Sequence, residues 1–149
     1  MDEIDFKILN LLQTDSTLPA SEIAKKVGLS TSPCWKRITR LWEQGVIRRQ
    51  VSILNASQLG FGLTAYVSIK TSEHSGAWLN KFSATVTSMP EVMEFHRMAG
   101  DVDYMLKVVV ADIDAFDKFY KRLITSSAIN EVTSRFSMEK IKETTELPL

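Results

Sequence analysis

Cysteine occurs once in the 149 residues, at Cys34, so no disulfide can form within the chain and a reducing compartment is the expectation. No run approaches the roughly 18 uninterrupted apolar residues that span a bilayer, which excludes a membrane helix. The opening Met1-Asp2-Glu3-Ile4-Asp5 is acidic, unlike a signal peptide, and the expected location is the cytoplasm. Histidine is scarce as well. His74 and His96 stand at no spacing that matches a zinc or nucleophile motif. An enzyme using His96, Asp101 and Asp103 as an acid–base or metal cluster is therefore the reading these residues support least, and the expectation is a non-enzyme with no cofactor and no metal. The hydrophobic fraction of 44% and charged fraction of 24% are those of an ordinary globular protein, long enough for one domain or two small ones.

Net charge is also lacking: 18 Lys and Arg balance 18 Asp and Glu. A neutral chain argues against nucleic acid, whose phosphates need cations. The distribution reverses that argument. Over residues 23–50, Lys25, Lys26, Lys36, Arg37, Arg40, Arg48 and Arg49 face the single acid Glu43, a local balance of +6. From residue 51 onward acids exceed bases by two. Such asymmetry points to an interaction patch in the first part, the competing reading being a merely solvated face.

Apolar spacing organises that first part. Ile4, Ile8, Leu11 and Leu12 predict an amphipathic helix over 2–13, with acids in its first turn where the helix dipole favours them. Leu18-Pro19 interrupts it. Ile23, Ala24 and Val27 predict a short helix over 21–27 that stops at Gly28, and a third helix spans 32–44, with Pro33 in its first turn and Gly45 at its end. Three helices with a tight turn between the last two make a helix-turn-helix. The β-branched residues of 46–54 then predict a strand, the wing. These elements define a winged helix-turn-helix over 1–51 and a linker over 52–62, punctuated by Gly60 and Gly62.

Alternating and helical patterns in the remainder predict strand 63–70, helix 76–88, strands 92–98 and 104–110, helix 113–124 and strand 132–141. The order βαββαβ is a ferredoxin-like arrangement over 63–149, so the fold class is α+β. One sheet face would lack helices. A second subunit covering apolar residues left there makes a homodimer the expectation, and the segment 130–149 is long enough to reach a neighbour.

In the third helix Cys34, Ile38, Leu41 and Trp42 should face the core, with Cys34 a small packing residue rather than a reactive thiol. Lys36, Arg37, Arg40 and Gln44 are left outside. Thr31, Ser32, Pro33 and Trp35 occupy the N-terminal end, the part of a recognition helix that meets base edges in the major groove. Lys36 and Arg37 suit guanine or phosphate, and Arg40 suits phosphate. Arg48 and Arg49 would place the wing, and Lys25 and Lys26 sit where the second helix crosses the backbone. Trp35 falls off the inward stripe and has two readings, stacking outside or packing beneath the wing.

Several segments stand out together: Asp5-Phe6-Lys7-Ile8-Leu9, Glu22-Ile23-Ala24, Val27-Gly28-Leu29-Ser30, Ser32-Pro33-Cys34 with Arg37 and Leu41, and Gly45-Val46-Ile47. Further on come Gly100-Asp101-Val102-Asp103-Tyr104 and the closing Thr144-Thr145-Glu146-Leu147-Pro148-Leu149. In combination they resemble the Lrp/AsnC family of bacterial and archaeal regulators, over essentially the whole chain. The resemblance implies a transcription regulator that binds double-stranded DNA, dimers paired through their sheets, often a ring of four dimers, and an amino-acid effector bound between dimers. Carried over, the effector site is Gly100, Asp101, Asp103 and Tyr104, with 125–129 including Ser126 and Ser127, and Ser134 on the next strand. The chemistry suits such a ligand: Asp101 or Asp103 accepts from the ammonium, and backbone N–H groups with Ser126 or Ser127 donate to the carboxylate. Where many members carry a glycine near this point, the chain reads Ser126-Ser127-Ala128, so the ligand itself is not carried over. Two other readings compete: a plain inter-strand turn at Asp101 and Asp103, and an effector-independent architectural DNA-binding protein.

Overall fold

Asp2 starts the first helix by a reciprocal capping box. Its side chain accepts from the Asp5 N–H at 2.9 Å, and Asp5 Oδ2 accepts from the Asp2 N–H at 3.0 Å. In the computed structural model, which describes residues 1–126 and 129–149, helix α1 runs over Glu3–Thr14, α2 over Ala20–Val27 and α3 over Thr31–Glu43. Gly28 ends α2 in the left-handed region (φ 73°). The end of α3 is a Schellman turn: Val46 N–H reaches Leu41 O at 3.0 Å and Gly45 N–H reaches Trp42 O at 2.9 Å. Gly45 has φ 70° there, a conformation that any side chain would strain. Ile8, Ile23, Ala24, Cys34 and Leu41 form the buried centre that locks the three helices together.

Two expectations for this part are corrected. No strand forms over 46–54, which is irregular, because no ladder joins it to another segment of the chain. Trp42, expected in the core, is 39% exposed.

The second part builds the sheet. Strands β1 (Leu63–Lys70), β2 (Val92–Arg97), β3 (Tyr104–Val110) and β4 (Glu131–Phe136) pair in the order β2-β3-β1-β4, every pair antiparallel. Helices α4 (Gly76–Thr87) and α5 (Ile113–Ser126) supply Phe82, Val86, Phe119 and Leu123 to the core that also contains Ala65, Val67 and Ile69 of β1. Period-two alternation is strict in β3, where Tyr104, Leu106, Val108 and Val110 are buried and the residues between them are not. This is the ferredoxin-like arrangement of an α+β protein. Strand β4 ends at Phe136, five residues before the expected end at Ile141, because the chain breaks from the ladder after the Ser137 N–H reaches Thr64 O at 2.9 Å.

The opposite sheet face is mixed rather than apolar. Register places Tyr66, Lys107 and Glu94 across from one another, with Ser68, Met105 and His96 in the next row. Lys107 Nζ meets Glu94 Oε1 at 2.8 Å, and Arg135 Nη1 donates to Ser68 Oγ at 3.0 Å.

Contacts divide the chain into Met1–Ile53 with Ile141–Leu149, and Leu54–Lys140. The closing segment, read from the sequence as part of the second domain and able to reach a neighbour, makes its contacts in this fold with the helix-turn-helix unit. Gln13 holds it at both ends of one peptide unit, Nε2 donating to Leu147 O and Oε1 accepting from the Leu147 N–H, each at 2.9 Å. Among the described residues no helix is long and apolar enough to cross a membrane.

Candidate nucleic-acid interface and ligand loop

The turn from α2 into α3 presents a row of side chains to solvent because the inward positions are already filled by Ile23, Ala24, Cys34 and Leu41. Thr31, Ser32, Pro33, Trp35 and Lys36 are all exposed at the start of α3, Trp35 by 58%. Lys25, Lys26, Arg48 and Arg49 are exposed too. Cys34 is fully buried, and desolvation pushes its thiol pKa up despite the nearby Arg37 charge. That burial fits a packing residue.

Arg37 and Arg40 occupy a different setting. Arg37 Nη1 donates to Asp2 Oδ1 and Oδ2 at 2.8 and 2.7 Å and to Asp5 Oδ1 at 2.8 Å, while Arg40 Nη2 donates to Asp5 Oδ1 and Oδ2 at 2.8 and 2.7 Å. The Asp5 side chain is only 1% exposed. Its burial pushes the carboxyl pKa up, and the Asp2 backbone N–H with the two guanidinium groups overcomes this, leaving it below the ordinary value. The Asp2 carboxyl is lowered chiefly by its bond to Arg37, and the Arg37 pKa is raised by the same two acids. Sequence reasoning read Asp2 and Asp5 only as dipole-favoured acids. A usable signal was present: two acids and two arginines each stand three apart, a spacing that lets both pairs share one helix face.

The predicted ligand residues lie along the turn joining β2 to β3 and at the end of α5. Gly100 (φ 128°) and Asp101 are exposed on that turn. Its base is closed by Met98 N–H to Asp103 O at 2.8 Å and Asp103 N–H to Ile69 O at 3.0 Å. Asp103 Oδ2 accepts from the Thr71 N–H at 2.8 Å, so one of its oxygens holds the segment after β1. Asn130 Oδ1 secures the same segment from the other side, accepting from Ser72 N–H at 2.8 Å. Tyr104 is 4% exposed, its ring set among Trp78, Phe82 and Phe95 at centroid distances of 6.0, 5.4 and 5.7 Å. Ser126 Oγ donates to Leu123 O at 2.7 Å, and Ser134 Oγ is buried with no hydrogen-bond partner among the described residues. Ser127 lies outside the described residues. His96 does not join Asp101 and Asp103; it faces Glu94 at 3.3 Å on the open sheet face, and no metal-binding group of side chains occurs among the described residues.

A helix-turn-helix with an exposed third helix, on a chain that also carries a ferredoxin-like sheet, has the architecture of a DNA-binding protein with a separate second domain. The chain matches the winged helix-turn-helix DNA-binding family over residues 1–48 and the Lrp/AsnC ligand binding domain over residues 64–147. It belongs to the Lrp/AsnC family of transcriptional regulators and is a DNA-binding regulator, not an enzyme. Among its relatives, the DNA-binding transcriptional activator DecR of Escherichia coli is 49% identical over all of this chain and 99% of that protein. The glutamate uptake regulatory protein of Zymomonas mobilis is 45% identical over all of this chain and 91% of that protein. Of solved structures, an AsnC family regulator from Agrobacterium tumefaciens superposes with a TM-score of 0.96 at 56% identity, covering 99% of this chain and 97% of that one. A Neisseria meningitidis regulator in complex with L-Met superposes with a TM-score of 0.94 at 31% identity, covering 99% and 96%.

Proposed function

We propose that this regulator reads DNA through the first turn of α3, with Thr31, Ser32, Pro33, Trp35 and Lys36 toward the major groove and Lys25, Arg48 and Arg49 on flanking phosphates. The observation that carries the reading is the exposure of that turn on a helix whose opposite side is fixed by fully buried Cys34 and Leu41. Arg37 and Arg40 are assigned to the phosphate backbone rather than to bases, since both are engaged with Asp5. The functional division runs from a DNA-binding domain over 1–51, through a connector over 52–62, to an effector and assembly domain from 63 onward, with the closing segment serving the first.

The effector is an amino acid. A glutamate uptake regulator and a regulator complexed with L-Met stand among the relatives, and the β2–β3 turn offers the exposed carboxylate of Asp101 beside Gly100 as an ammonium acceptor. Asp103 shapes the turn by holding Thr71, Tyr104 packs beneath it, and Ser126, Ser127 and Ser134 are the donors proposed for the ligand carboxylate. Homodimers form through the open sheet faces and assemble into octamers in the cytoplasm.

The test is light-scattering mass and gel shift on the protein's own promoter region, repeated with each amino acid. One amino acid is expected to change the mass or the shift, and Asp101→Asn is expected to remove that response while leaving dimer mass and basal DNA affinity unchanged. A response that survives the substitution would move the ligand away from this turn. A shift with no response to any amino acid would make the chain an effector-independent architectural protein.

A further inference from the structure

The two acids at the start of α1 grip the same atom of the recognition helix from opposite environments. Both reach Nη1 of Arg37, Asp2 with two oxygens at 2.8 and 2.7 Å and Asp5 with one at 2.8 Å. Asp5 is almost completely buried, whereas the Asp2 side chain is 54% exposed. Asp5 therefore fixes where the guanidinium sits, and Asp2 neutralises its solvent side.

A DNA phosphate presents to an arginine the same thing that a carboxylate does, a pair of anionic oxygens that accept N–H bonds. Asp2 and a phosphate cannot both take the two N–H bonds of Arg37 Nη1, which three carboxylate oxygens already share. We infer that Asp2 is an internal competitor for the DNA backbone: it occupies Nη1 of Arg37 in the free regulator and must release that nitrogen before it can hold a phosphate. The inference rests on α3 being the recognition helix. It also accounts for the charge pattern, because Arg37 and Arg40 face Asp2 and Asp5, so the free surface of α3 is less positive than its own sequence implies. Taking away the Asp2 charge leaves Arg37 oriented by Asp5, and the freed positive charge then faces solvent.

The experiment uses the full chain with Asp2→Asn, a replacement that keeps a good helix N-cap while removing the charge. Affinity for a random-sequence duplex is measured by fluorescence anisotropy across a salt series. Affinity is expected to rise about two- to fivefold at low salt, the size typical of one exposed ion pair. The log–log salt slope is expected to stay that of the wild type, because the bound state of both proteins makes the same phosphate contact through Arg37. In an Arg37→Gln background the same Asp2→Asn change is expected to do nothing. Equal affinity for wild type and Asp2→Asn overturns the inference, and so does a gain that persists without Arg37, since it would then be a general field effect; a steeper slope for Asp2→Asn overturns the release, since Arg37 would then reach a phosphate only in the variant. If Asp2→Asn lowers stability, Asp2→Ser supplies another uncharged cap and must show the same gain. A wild type that binds no duplex at all would instead overturn the recognition-helix reading beneath the inference.

Discussion

Alanine in place of Phe82 is expected to destabilise the sheet-bearing unit by about 3–5 kcal/mol, the range for truncating a fully buried aromatic side chain. The ring is completely buried in α4. It stacks on Trp78 at a centroid distance of 4.8 Å and meets the edge of Phe95 at 5.6 Å and Tyr104 at 5.4 Å. Losing it removes apolar burial and three ring contacts at once from a close-packed core. On the proposed effector site, the consequence for function passes through Tyr104, which begins β3 directly after the Gly100 turn. Hydrogen exchange checks this: the amides of β3 and β1 should exchange faster while those of α3 keep their wild-type rates. A loss under about 1 kcal/mol would mean that the cluster collapses into the cavity, as a well-relaxing site can. Any amino-acid response should fall with the protection of β3, although Phe82 is not among the proposed effector contacts.

How far the sequence foretold this molecule depends on whether a residue's partner was near in the chain. Alternation in 104–110 and helical spacing in 32–44 report directly on which face is buried, and those elements formed within a residue or two of their expected ends. The same reasoning placed Cys34 and Leu41 inward. It failed for Trp42, whose position at the end of the stripe says nothing about how far the neighbouring segment reaches over it. Residues 46–54 have the composition of a strand, but composition supplies only one side of a ladder and the chain supplies no second. The Gly100-Asp101-Val102-Asp103 turn was legible as a loop between strands; that Asp103 holds Thr71, at the end of the two central strands, was not, because the partner is 32 residues away. Asp5 is the clearest case. As an acid in a first helical turn it reads as a solvated, dipole-favoured residue; its three-residue spacing from Asp2, matched by that of Arg37 and Arg40, signals a pairing, but only the fold shows that the pairing buries it as an anchor for two arginines.

Replacing that anchor by asparagine is expected to cost the helix-turn-helix unit about 2 kcal/mol, below the 3–5 kcal/mol typical of breaking a buried ion pair. The reduction has a structural reason. Arg37 and Arg40 side chains are 25% and 46% exposed, so after the substitution they regain water instead of remaining buried and unpaired. What is lost is an acceptor: Asp5 takes bonds from the Asp2 N–H, from Arg37 and twice from Arg40. The asparagine amide places an N–H donor against those guanidinium donors, so the variant is worse than a simple loss of charge. The effect should also carry a pH signature. The Asp5 carboxyl pKa is lowered in the fold, so its stabilisation is fully present above the unfolded carboxylate value of about 4 and is lost as pH falls through the lower, folded value. Thermal unfolding followed from neutral pH into acid should therefore show the wild type beginning to lose its advantage over Asp5→Asn below about pH 4, as the unfolded chain takes up the proton, and losing it fully only below the lower folded value, where both proteins carry a neutral group at this position. Parallel curves down to the lowest pH would mean that Asp5 contributes as a cap and packing residue alone. Because α3 leans on this carboxylate through both arginines, the variant should also discriminate less between its promoter and random duplex at pH 7, and competition gel shifts measure that ratio directly.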